Sequence, residues 1–184
     1  LERLSRYAAR QVRVAVAGSN TAASINTAVR GSDGKHIVIV DSSVRVVTAD
    51  WIEVLLELSQ REDIGAVGAR LHYPDGAVAH EGMILGRLGL ATSVNQHLHV
   101  IKEMSAVSGA CLMTRRAVFE EAGGFDEAFR RTLFDVDYCM RVWVPGLRIL
   151  CTPLAELIGG GAARAAAIDV CVSDARADRS LAVG

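Results

Sequence analysis

The chain has 184 residues, 51% of them hydrophobic and 22% charged, which predicts one domain of ordinary size folded around a true core. Twenty basic side chains against twenty-one acidic ones, a formal charge of −1 and a pI near 6.6 leave no electrostatic footprint for nucleic acid. No apolar run approaches the ~20 residues of a bilayer span, and LERLSRYAARQ has no signal-peptide core, so the expectation is a cytoplasmic protein without a transmembrane segment.

Taken in order, strand and helix patterns alternate from about Gln11 to Leu157, the signature of an α/β fold with a mostly parallel sheet. Val12, Val14 and Val16 alternate as in a strand, and Gly18-Ser19-Asn20 then breaks the chain with two side chains able to cap a helix over Thr21 to Arg30. Gly31 and Gly34 stop that helix. His36 to Val40 is almost wholly apolar, as in a strand buried on both faces, and it ends at Asp41. Asp50 and Glu53 have the spacing of a capping pair ahead of Trp51, Val54, Leu55 and Leu58. Ile64 to Leu71 is the next strand, and Tyr73-Pro74-Asp75-Gly76 reads as a hairpin turn.

From Met83 to His99 the pattern loosens into an expected mobile loop. Ser105 to Thr114 reads as a strand passing into a helix capped by Thr114, with Val118 and Phe119 buried and Gly123 as its stop. Asp135 to Val144 is helical up to Pro145-Gly146, and Leu147 to Cys151 returns to strand. Residues 158–184 form a Gly/Ala-rich tail, ordered at most around Ile168 to Val172, which sets a domain over 1–157. Cys111, Cys139, Cys151 and Cys171 lack any C-x-x-C or zinc-ligand spacing and are expected as free, mostly buried thiols.

The acids are the candidates for chemistry. Asp41 closes an apolar strand, and open α/β sheets gather ligands at the carboxyl ends of their strands; the competing assignment is a turn cap through Ser42 and Ser43. Asp135 and Asp137 are two residues apart, so on a helix they diverge by roughly 200° and at most one faces a cleft. Asp137 has Arg141 at ion-pair spacing. Asp135 lies near a helix N-terminus, where it is either a cap or a general base. His36, His72, His80, His97 and His99 make no metal set, and no Walker or Rossmann glycine pattern occurs.

From Val14 to Leu157 the order of motifs resembles the family 2 glycosyltransferases with a GT-A fold, in particular rhamnosyltransferase-like bacterial polysaccharide enzymes. The residues that carry the likeness are Asn20 with Asn26, Gly34-x-x-Ile-Val-Ile-Val-Asp41, Arg70-Leu-His-Tyr-Pro-Asp-Gly76, His80-Glu-Gly82, Ser105 to Leu112, Arg115-Arg116, Gly123-Gly-Phe-Asp-Glu127 and Asp135-Val-Asp-Tyr-Cys-Met-Arg141.

The resemblance implies inverting transfer of a sugar from a nucleoside-diphosphate donor to an acceptor hydroxyl in cell-surface polysaccharide synthesis. It assigns Asp135 as catalytic base; Asn26, Asp41, Gly109 and Ala110 to donor binding; and Gly124, Phe125, Asp126 and Glu127 to the acceptor side. It also implies a divalent cation, Mg²⁺ or Mn²⁺, at Asp41, with a nucleotide sugar and a glycan as partners and a homo-oligomer as an open possibility. The departures are Ser43 at the second acid of the DXD motif, Gly159, Gly160 and Gly161 where relatives carry histidines, and Phe134 before Asp135. The chain also starts too late to hold every nucleotide-gripping strand, so the expectation is an N-terminally incomplete GT-A-like domain with poor metal affinity. The alternative is a catalytically impaired relative or fragment acting as a binding or assembly module.

Overall fold

A computed structural model describes residues 11–15, 20–86, 91–93, 99–159 and 168–173, with side chains described for 20–86 and 99–159. Val16, Gly18, Ser19, His97, Gly160, Gly161 and the tail on either side of 168–173 lie outside the described residues, as does the Cys171 side chain.

Strand β1 (Gln11–Ala15) precedes helix α1 (Thr21–Arg30), which Asn20 opens by accepting the Ala23 N–H on its side-chain oxygen at 3.1 Å. Gly31 closes the helix, donating its N–H to the Thr27 carbonyl. Strand β2 (His36–Asp41) follows, and its alternation divides two cores, Ile37 and Ile39 entering one and Val38 and Val40 the other. That is the two-sided burial expected of HIVIV.

After β3 (Arg45–Val46), α2 (Trp51–Ser59) packs Trp51, Ile52 and Leu55 into the second core. Asp50 holds the cap position of α2 but makes no side-chain cap bond, so its half of the anticipated capping pair does not form. Strand β4 (Ile64–His72) runs into β5 (Val78–His80) through the predicted turn, in which Tyr73 and Ala77 pair and Gly76 has φ +89°. Glycine suits that left-handed conformation because it has no Cβ.

Met83–Leu85 (β6) and Ala91–Ser93 (β7) pair as a two-stranded antiparallel sheet within the stretch expected to be a loop. Strand β8 (Lys102–Met104) precedes β9 (Cys111–Arg115), α3 (Arg116–Glu121), α4 (Phe134–Trp143), β10 (Arg148–Ile158) and β11 (Ile168–Ser173). Thr114 is not a helix cap. It is buried inside β9 and its hydroxyl donates to the Gly65 carbonyl at 2.7 Å, while Arg115 precedes α3.

The main sheet has the order β1-β11-β2-β9-β4-β10-β3, with β5 on β4 and β8 on β10. The α/β class stands, but the mostly parallel pairing does not, since only β4 and β10 pair in parallel among the described strands. β2 and β4 do point the same way, as the crossover through α2 requires. β9 arrives later and inserts antiparallel between them, and that insertion leaves no trace in local periodicity. β11 lies in the same sheet, between β1 and β2.

Helices α1, α3 and α4 cover one face and α2 the other. Cys111, Cys139 and Cys151 are free and buried, and burial pushes the Cys139 and Cys151 thiols up to about 12, so they are inert apolar fillers.

Candidate active site

Two strand ends and one helix start meet at the turn before β9. Ser108 to Cys111 is a tight turn whose successive amides are each committed. The Ala110 N–H donates to the Ser108 hydroxyl at 3.1 Å, and the Cys111 N–H to the Ser108 carbonyl at 3.2 Å. The remaining two amides point outward from the turn. Gly109 donates to Asp135 Oδ2 at 2.8 Å, and Ser108 to His80 Nε2 at 3.2 Å. On its other side the Ala110 carbonyl accepts the Asp41 N–H at 3.0 Å. Asp41 and Asp135, 94 positions apart by their numbers, thus hang from adjacent residues of one turn.

Gly109 has to be small. A Cβ there would stand 3.0 Å from the Phe134 ring and 3.4 Å from the Asp135 Cβ, tighter than ordinary van der Waals contact at the ring.

Each acid is also fixed locally. Asp135 Oδ1 accepts the Val136 N–H at 2.9 Å in the first turn of α4, where the helix dipole favours a carboxylate. Leu133, which precedes that helix, has φ +66°, the sole positive φ among described residues other than glycine. A left-handed leucine costs roughly 1–2 kcal/mol, and such strain concentrates at functional sites. Asp41 Oδ1 accepts the Ser43 N–H at 2.8 Å, so the turn-cap assignment holds for that oxygen. Asp137 pairs with Arg141, with Nη2 and Oδ2 2.6 Å apart, as the spacing predicted.

The segment Gly123–Glu127 is held from two sides. The Asn26 side chain is buried, accepting the Phe125 N–H at 2.9 Å and donating to the Phe125 carbonyl at 2.8 Å and to Glu127 Oε1 at 3.1 Å. From α4, the Arg141 guanidinium donates to the Ala122 carbonyl and, at 2.8 Å, to that of Gly124. Phe125 is core, its ring 4.9 Å from Phe134, the residue before Asp135. Asp126 is exposed and accepts the Ala128 N–H. An open cleft of about 450 Å³ lies beside this segment, lined by Asn26, Arg30, Asp126, Glu127 and Arg141 among others, and its lining includes neither Asp41 nor Asp135.

Sequence reading did not find His80, Ser108 or Arg141 as parts of this assembly. The runs His80-Glu-Gly82, Ser105 to Leu112 and Asp135 to Arg141 contain them but give them no such part. It also missed a buried charge cluster beside β5. Glu81 pairs with Arg70 and, at 2.7 Å, with Lys102, and Arg70 reaches Glu156 at 3.3 Å. Burial drives the Glu81 carboxyl up, but the Lys102 hydrogen bond and the Arg70 charge outweigh it and hold the group below the usual range.

The fit of a divalent cation turns on the donors at Asp41. Among described residues no three His, Cys, Asp or Glu side chains gather, and position 43 offers a hydroxyl. Mg²⁺ and Mn²⁺ favour carboxylate oxygens, so one carboxylate and a serine do not make a protein-held metal site.

A family model described as glycosyltransferase like family 2 matches residues 2–177. The chain belongs to that family. Protein y4gI of Sinorhizobium fredii is 35% identical over 150 residues, covering 75% of this chain and 16% of that protein. The O-antigen biosynthesis protein RfbC of Myxococcus xanthus is 33% identical over 145 residues, covering 72% of this chain and 11% of that protein. The chain therefore spans a small part of the length of these relatives.

Two solved glycosyltransferase structures share the fold. GalNAc-T7, solved with UDP, GalNAc and Mn²⁺, has a TM-score of 0.62 at 12% identity, covering 76% of this chain and 30% of that one. The mannosyltransferase PcManGT of Pyrobaculum calidifontis, in complex with GDP-Man and Mn²⁺, has a TM-score of 0.53 at 17% identity, covering 76% and 36%. No helix among the described residues is long and apolar enough to cross a membrane.

Proposed function

We propose that this family 2 domain transfers a sugar from a nucleoside-diphosphate donor to an acceptor hydroxyl with inversion, in assembly of a cell-surface polysaccharide. The carrying observation is the Ser108–Cys111 turn, which links Asp41 and Asp135 through consecutive residues. Family membership supports glycosyl transfer, and the O-antigen relative supports a polysaccharide product.

In this reading Asp135 is the general base. Its carboxylate takes the proton of the acceptor hydroxyl as that oxygen attacks the anomeric carbon. The bond from that carbon to the diphosphate breaks on the opposite face, and the nucleoside diphosphate leaves with the electron pair. Hydrogen bonds from the Gly109 and Val136 backbone N–H groups hold the carboxylate in place before substrate arrives. Asp41, with Gly109 and Ala110, forms the donor wall, and Asn26 serves it indirectly by locking the segment Gly124–Glu127 that borders the acceptor side.

Isothermal titration with UDP, GDP and dTDP tests the donor assignment. Saturable binding of at least one of them is expected. Silence with all three, with and without Mn²⁺, would favour the impaired-relative reading, for which Ser43 in place of an acid is the evidence.

A further inference from the structure

The turn that joins the two acids is itself held from outside. His80 ends β5, is 6% exposed, and places Nε2 3.2 Å from the Ser108 amide nitrogen. A backbone N–H can only donate, so Nε2 offers its lone pair and the ring proton sits on Nδ1. Burial, opposed in part by the Glu81 charge, lowers the His80 pKa to about 4, which keeps the ring a neutral acceptor near pH 7.

We propose that His80 is a positioning residue, orienting the Asp135 carboxylate through the Ser108–Gly109 turn. The route is short. His80 fixes the Ser108 amide, and the next amide in the chain, that of Gly109, holds Asp135 Oδ2 at 2.8 Å. The histidine is anchored in turn. Leu71 of β4 pairs with it, and its neighbour Glu81 is buried in ion pairs with Arg70 and Lys102. Gly82, just beyond, has φ +98° and lies so close to Met104 that a Cβ would overlap that side chain at 2.4 Å. Backbone, charge and packing thus fix the strand end that carries this ring, whose accepting nitrogen faces the turn.

The kinetic part of this proposal rests on Asp135 as base; the structural part does not. In the full chain, ¹⁵N spectra of the His80 ring should show Nδ1 protonated and Nε2 bare at pH 7. A proton on Nε2 overturns the proposal without any variant. His80→Leu should speed amide exchange at Ser108 and Gly109 and lower kcat roughly tenfold, the worth of about one hydrogen bond, with donor KM within about threefold. His80→Gln, whose Oε1 can replace Nε2 as acceptor, should recover much of both. Unchanged Ser108 and Gly109 exchange in His80→Leu sinks the proposal, as does a rise in KM at constant kcat. If no donor is turned over by the parent chain, the exchange and ring-nitrogen measurements still decide the His80 contact, and only the base assignment fails.

Discussion

Position 43 shows how a single side chain sets the chemistry available to its neighbour. Asp41 lies at the end of β2, where the family resemblance leads one to expect the first acid, but two residues on stands a serine whose amide already occupies Asp41 Oδ1. Ser43→Asp adds a second carboxylate to the same turn without altering the backbone bond that shapes it. Titration of that variant with the bound nucleoside diphosphate should show affinity rising at least about tenfold on adding Mn²⁺, as expected when a hard cation gains an anionic oxygen ligand. Equal affinity with and without Mn²⁺ would mean that position 43 is not what limits metal use. The same residue-scale logic separates Asp135 from Asp137. Helical geometry allows at most one of them to face a cleft, and the Arg141 pair at i+4 accounts for Asp137. What it could not name was Gly109 as the donor to Asp135, because that contact joins residues 26 positions apart.

Among the elements, α1 and α4 act as a clamp on the segment between α3 and α4. Asn26 and Arg141 reach it from these two helices, and Gly124 has φ +73° and a hypothetical Cβ only 2.9 Å from Asn26 Oδ1. Gly124→Ala should therefore destabilise the fold by about 1–3 kcal/mol, combining left-handed strain with a displaced buried amide. Urea denaturation checks this, and a change below about 0.5 kcal/mol would show that the clamp yields freely. The helix spans from α1 to α4 were largely readable from apolar spacing and breakers, and Asn20 and Gly31 mark the ends of α1 as their types suggest. The sheet order was not, since β9 enters between β2 and β4 only after a long excursion, and no local pattern encodes which strands become neighbours. Thr114 was misread for the same reason. Its hydroxyl is spent on Gly65 of the neighbouring strand and on Tyr138 of α4 rather than on capping α3.

For the whole molecule, buried histidines tie stability to pH. Burial lowers the pKa of His80 to about 4, and burial with the Arg115 and Lys35 charges lowers that of His36, both from 6.5. The unfolded chain then binds protons more readily than the fold. The stability these groups supply is complete above about pH 6.5 and falls as the pH drops towards their folded values. His80 alone should account for about 2 kcal/mol lost between pH 7 and pH 4.5. The Glu81 contribution is lost only at lower pH, because its carboxyl is held below the usual range. Urea midpoints measured across this window should fall with acid, and His80→Gln should flatten the slope. An unchanged slope in that variant would place the titration elsewhere.

Transfer by this domain requires Asp135 to take a proton from the acceptor. With a donor and acceptor that the chain turns over, Asp135→Asn should cut kcat by about 10²–10⁴, the usual worth of a general base, while nucleoside-diphosphate affinity stays within about threefold. Transfer retained within tenfold of the parent, or affinity and rate lost together, would contradict it.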